Sequence, residues 1–239
     1  MVRVDQPAAG TLRAVQLPGP QREPTTWAVR VLWVVALAGA ALFALMWVLI
    51  PARGGLGLDR GAFDALASRH GAFAARAINS SASVLFWGVV LVSVGATVAL
   101  ARRRRWLEAG VIVAGYALAA LGSNGVKALA QRPRPADPLM TAHGFAFPSS
   151  ASAYAVGVLA TALILASHTD ARSLRVAIVA LGVCAAAIAG VAMVVVRVHY
   201  FSDVLAGWGL GAVAFAASAL VAQALGAFRR MELATEPGS

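Results

Sequence analysis

Apolar residues in this chain gather in long uninterrupted blocks, without the alternation or three-to-four spacing of a water-soluble fold. The blocks cover approximately 29–50, 79–101, 106–126, 150–167, 176–196 and 204–227. Each is close to the ~20 residues that a helix needs to cross a hydrocarbon layer of roughly 30 Å. In lipid only helices and closed barrels satisfy their own backbone groups. The pattern therefore predicts an all-α fold, a six-helix transmembrane bundle. Residues 1–28 read as a flexible tail, 29–227 as one membrane domain and 228–239 as a second tail. Between 51 and 78 the chain is amphipathic: Leu56, Phe63, Leu66, Ala67 and Phe73 fall near helical spacing, with Arg60, Asp64 and Arg69 interleaved. An interfacial helix and an ordinary loop are both compatible with that pattern.

Composition sharpens the class. Of 239 residues 60% are hydrophobic and only 13% charged, against about 25% charged in soluble domains. Mean hydropathy is +0.76. The net charge is +10, and every basic residue except Lys127 is an arginine. In a soluble protein such an excess points to nucleic acid; here the arginines lie between apolar blocks, so topology and anionic lipid headgroups account for them. Membrane lipids, and not nucleic acid, are the expected partners.

Placing the termini in the cytoplasm puts Arg30, Arg102 to Arg105, Arg172, Arg175, Arg229 and Arg230 on the inner side, which the positive-inside bias favours. The run at 102–105 must then be a tight turn. The composition suits a bacterial plasma membrane. Cys184 has no partner for a disulfide. The first block is too long for a signal-peptide core and reads as a retained span.

With six spans, the ends of the third and fifth and the starts of the fourth and sixth share the outer face. These ends carry Lys127, Arg132, Arg134 and Pro135; His143, Pro148, Ser149 and Ser150; and Arg197, His199, Ser202 and Asp203. Polar clustering at helix ends in a membrane protein is a site hypothesis by default. Alone, each group has an ordinary reading: Lys127 as a snorkelling cation, Arg132 and Arg134 as loop punctuation beside Pro133 and Pro135, Asp203 as a helix N-terminal charge. Together they make an outward-facing anion site. Lys127, Arg134 and Arg197 supply cations for phosphate oxygens. Ser149 and Ser150 open a helix whose free N–H groups attract an anion. His199 and Asp203 are four apart, a spacing at which the carboxylate orients the imidazole as a nucleophile. No Cys/His/Glu cluster has metal-ligand spacing, so a metal-independent site with no cofactor is expected.

These residues resemble the type 2 phosphatidic acid phosphatase and vanadium haloperoxidase superfamily, over roughly residues 60–225. Its first motif, K-x6-R-P, matches Lys127 through Arg134 and Pro135. Its second, P-S-G-H, aligns with Pro148-Ser149-Ser150-Ala151. Its third, S-R-x5-H-x3-D, aligns with Ala192-Met193 through His199 and Asp203. The resemblance implies that His199 attacks phosphorus, Asp203 orients it, Lys127 and Arg134 bind phosphate oxygens and Ser149 hydrogen-bonds one. The chain departs from the pattern at Ala151, where the family has the general acid for the leaving group, and at Ala192 and Met193. Losing a general acid typically costs about 10²–10⁴-fold. His143 and Arg197 are the neighbours placed to compensate. The implied activity is hydrolysis of a lipid phosphate or diphosphate through a phosphohistidine, with polyprenyl diphosphate favoured because its leaving group needs little protonation. The alternative is an impaired family member that binds phosphate headgroups or acts as a membrane scaffold.

Overall fold

A computed structural model describes residues 26–50, 55–66 and 88–235, all of whose regular elements are helices. In chain order they are α1 (Thr26–Leu49), α2 (Gly57–Leu66), α3 (Gly88–Arg102), α4 (Trp106–Ala130), α5 (Ser150–Ser167), α6 (Arg172–Val195) and α7 (Phe201–Thr235). Among the described residues five helices, α1 and α4 to α7, are long and apolar enough to cross a membrane. Of the six expected spans, the second, at 79–101, is described only from residue 88, as the 15-residue α3, and its upstream part lies outside the described residues. Helix α1 begins at Thr26, inside the segment read as a tail. Helix α7 runs on through the residues read as a C-terminal tail, as far as Thr235. The rest of the N-terminal tail call also lies outside the described residues.

The amphipathic stretch after α1 contains a real helix, α2, but residues 67–78 of that stretch are not described. The arginine run makes the tight turn foreseen for it: α3 ends at Arg102, α4 starts at Trp106, and Arg104 adopts φ +59°.

Helix α7 is the axis of the bundle, packed against α1, α4 and α5, with α6 alongside α5. Lipid gives helices no hydrophobic drive to associate, so close backbone approach matters, and small residues permit it. Gly39 of α1 and Gly209 of α7 face each other: a Cβ on either would strike the other's carbonyl oxygen. Gly207 lets α7 pass against the backbone of Ser149 at the start of α5. Apolar packing fills the remainder, with Ala119, Ala153, Ala214 and Phe215 in one buried cluster and Met46, Phe147 and Ala206 in another nearer the α4–α5 loop. One consequence governs the rest. The C-termini of α4 and α6, the N-termini of α5 and α7, and the short helix α2 meet at the same end of the bundle.

Candidate active site

Helix α4 stops because Gln131 turns left-handed, φ +45°, with its N–H bonded to the Lys127 carbonyl. The chain then runs extended through Arg132-Pro133-Arg134-Pro135, with each proline fixing φ and withholding a donor. The loop folds back on itself, Ala146 N–H donating to the Arg132 carbonyl at 2.9 Å. Phe147, fully buried, sits against the rings of Phe43 and Trp47 on α1. Opposite this loop, α6 ends at Val195 and α7 starts at Phe201. The short link between them carries Arg197 at φ +55°. A continuous helix would have turned Arg197 away from His199; the chain breaks here instead.

Lys127 and Arg134 arch over the loop. Lys127 Nζ donates to the carbonyls of Phe145 (3.0 Å) and Pro148 (2.7 Å). Arg134 donates from Nη1 to Val198 O (2.7 Å), from Nη2 to His143 O (2.8 Å) and from Nε to Gly144 O (3.1 Å). Its Nη1 also lies 3.3 Å from His199 Nε2. A guanidinium only donates, so that contact assigns the lone pair to Nε2 and the hydrogen to Nδ1. The Nδ1 side faces Asp203, with Nδ1 to Oδ2 at 3.6 Å. This is an electrostatic contact rather than a hydrogen bond, and longer than the ~3 Å expected of an orienting carboxylate.

His199 is 5% exposed. Burial pushes its pKa below the ordinary imidazole value; Asp203 pulls it back up, and the charges of Arg134 and Lys127 push it down again. The net direction is downward, which leaves a neutral ring at physiological pH.

Asp203 is engaged on every side. It is the third residue of α7, and Oδ2 accepts from Tyr200 N–H at 2.8 Å, closing the first turn as an acid at this position does. Oδ1 accepts from Arg132 Nη1 at 2.5 Å. Arg132 is 1% exposed and reaches in the other direction to Asp59 of α2, Nη2 to Oδ2 at 3.1 Å. Asp59, itself fully buried, accepts from the backbone N–H (2.8 Å) and the hydroxyl (2.9 Å) of Ser202. The Arg132 guanidinium lies 4.1 Å from the centre of the Tyr200 ring. Neither Asp59 nor the inward role of Arg132 was anticipated. Asp59 repeats the position of Asp203: both are third residues of helices, and Asp59 too reaches back to its own first turn, accepting from Leu56 N–H at 2.8 Å.

The other expected residues are placed as follows. Ser149 is fully buried and its hydroxyl caps α5, accepting from Ser152 N–H at 3.3 Å and Ser152 Oγ at 3.0 Å. Its own N–H donates to the Asp203 carbonyl at 2.9 Å. Ser150 opens α5, half-buried, and Ala151 follows it with no side-chain proton to give. His143 is exposed and serves Arg134 through its backbone carbonyl. Met193 acts through its backbone, its carbonyl accepting from His199 N–H at 3.2 Å. Arg197 is half-buried in the α6–α7 link; the cations whose charge bears on His199 are Arg134 and Lys127.

A polytopic helical bundle with basic, imidazole and carboxylate groups joined together defines a multi-pass integral membrane protein with a polar site at one end of its helices. The PAP2 superfamily model matches residues 108–227, and the chain belongs to that superfamily. Among solved structures it is similar to a transmembrane PAP2-type phosphatidylglycerolphosphate phosphatase from Bacillus subtilis. That match has a TM-score of 0.59 and 19% identity over 84% of this chain and 96% of the other, a likeness of fold. No curated protein sequence matches.

Proposed function

We propose that this protein is a lipid-phosphate phosphatase working through a phosphohistidine on His199. The observation that carries the reading is the meeting of Lys127, Arg134 and His199 at one end of the bundle, with Asp203 behind the imidazole. His199 Nε2 has its lone pair on the side of Arg134. Attack on phosphorus forms the Nε2–P bond and breaks the bond to the leaving oxygen, which is the bridging oxygen of a diphosphate and the lipid alkoxide oxygen of a monophosphate. Lys127 and Arg134 hold the phosphoryl oxygens, which take the place of loop carbonyls as acceptors and carry the charge of the in-line transition state. Asp203 stabilises the charge that develops on the ring. Water then attacks phosphorus, and the histidine leaves with inorganic phosphate released. Ser150 and the N–H groups at the start of α5 add to the anion site, with Arg197 of the α6–α7 link as a further candidate cation. Ser149 acts on the site through the capped end of α5.

Ala151 decides the substrate preference. No proton donor stands at that position, so an alkoxide leaving group is disfavoured, whereas the phosphate monoester released from a diphosphate departs with little protonation. Polyprenyl diphosphate is therefore the favoured substrate class. The cytoplasmic termini expected from the arginine bias put the site on the outer face of a bacterial plasma membrane. Phosphate release from a panel of lipid mono- and diphosphates, with His199→Ala as control, tests the reading. Turnover of prenyl diphosphate should exceed that of phosphatidic acid, and His199→Ala should lower it by roughly 10⁴-fold or more. Faster hydrolysis of phosphatidic acid would defeat the leaving-group argument, and unchanged activity in His199→Ala would defeat the site. Ala151, Ala192 and Met193 support a second reading, a headgroup binder without turnover. It predicts lipid-phosphate binding that is lost in Lys127→Ala, with no phosphate released.

A further inference from the structure

A buried guanidinium between two buried carboxylates is costly to desolvate, and well-packed apolar side chains often stabilise a core as well or better. What Arg132 adds beyond stability is direction. Its Nη1 takes Oδ1 of Asp203, so the carboxylate cannot turn about its Cβ–Cγ bond, and Oδ2 is left facing Tyr200 N–H and His199 Nδ1. Its Nη2 is anchored to Asp59 on α2, which also fastens the first turn of α7 through Ser202. The Tyr200 ring covers one face of the guanidinium, and Phe63 of α2 meets that ring edge-on at 5.7 Å.

We infer that Arg132 and Asp59 are positioning residues for the His199–Asp203 pair. Arg132, braced by the short helix α2, fixes the Asp203 carboxylate and through it the imidazole tautomer that keeps the lone pair on Nε2. The inference rests on the reading of His199 as the nucleophile. Arg132 acts through Asp203, and Asp59 acts through Arg132 and Ser202.

The test uses the full chain in detergent with prenyl diphosphate as substrate. Arg132→Lys keeps a charge for the two carboxylates, but an ammonium is a point donor that lacks the fork geometry. The variant should lose roughly 10–100-fold in kcat, the range typical of outer partners of a reactive group, with KM within about twofold. Asp59→Asn should give a smaller loss of the same kind, and it decides the matter if Arg132→Lys fails to fold. A second readout is independent of turnover. In protein labelled with ¹⁵N-histidine, the His199 signals, assigned by their absence in His199→Gln, should depart from a single-tautomer pattern in Arg132→Lys while those of His168 stay fixed. Unchanged kcat with an unchanged His199 spectrum overturns the positioning role and leaves the phosphatase reading standing. A rise in KM at constant kcat overturns it as well. If the wild-type chain releases no phosphate, or His199→Ala is fully active, the phosphatase reading fails on its own, and the spectrum alone decides whether Arg132 orients His199.

Discussion

At one end of the bundle His168, Glu108 and Arg105 form a histidine–carboxylate–arginine group; at the other, His199, Asp203 and Arg132 form a second. The first is partly open to solvent, and its distances are short: His168 Nε2 to Glu108 Oε2 is 2.6 Å and Arg105 Nη1 to Glu108 Oε1 is 3.0 Å. The second is buried, and its imidazole stands 3.6 Å from the carboxylate. Both acids are third residues of their helices. Glu108 is 35% exposed, with one oxygen on Arg105 and the other on His168. Asp203 has one oxygen on Arg132 and the other on Tyr200 N–H, so His199 receives only the remaining field of a carboxylate it cannot draw closer. A short distance at a wet surface records a soft contact that salt screens. A longer one in a closed network records a group that has nowhere else to go. Orientation, rather than closeness, separates the two ends.

The largest expected effect is on folding. Arg132→Ala leaves Asp59 and Asp203 buried without their common cation and should destabilise the protein by about 3–5 kcal/mol, whereas Arg105→Ala should cost no more than about 1 kcal/mol. Thermal unfolding in detergent compares them, and equal shifts would erase the contrast between the two ends. Next comes pH. On the proposed mechanism His199 must be neutral to attack, and burial holds its pKa below the ordinary imidazole value, so the acid limb of kcat/KM should lie below about 6.5. Arg134 pushes that pKa down, so Arg134→Gln should move the limb upward in addition to weakening binding. A limb that moved downward would contradict the sign of the interaction. The smallest effect belongs to Glu108→Gln, which should leave turnover unchanged and shift stability within about 1 kcal/mol. That shift should shrink further at high salt; a salt-independent loss would mean that this group is more closed than its exposure indicates.

Much of this contrast was legible in the sequence at one end only. Lys127, Arg134, His199 and Asp203 lie in small polar islands between apolar blocks, and their spacing forces them to the same end once the helices are drawn. The motif spacing singled out Arg134 and passed over Arg132; each precedes a proline, and nothing local says that Arg132 turns into the core. Asp59 lay in a stretch read for its amphipathic surface, and its partner Ser202 is 143 residues away. Ser149 was read as an anion ligand at the opening of a helix, whereas its hydroxyl caps that helix. The count of spans rested on block length alone, a criterion that α3 meets only with residues upstream of those described.

Helix α5 has 18 residues. At 1.5 Å per residue it rises about 27 Å, slightly less than a hydrocarbon slab of roughly 30 Å. Its neighbour α7, with 35 residues, overshoots the same slab. The bilayer around α5 must thin or the helix must sink, and either way the Ser149 end is drawn toward the acyl chains. On the proposed function, a headgroup would then have only a short sideways path to the imidazole within its own leaflet, its tail staying in oil.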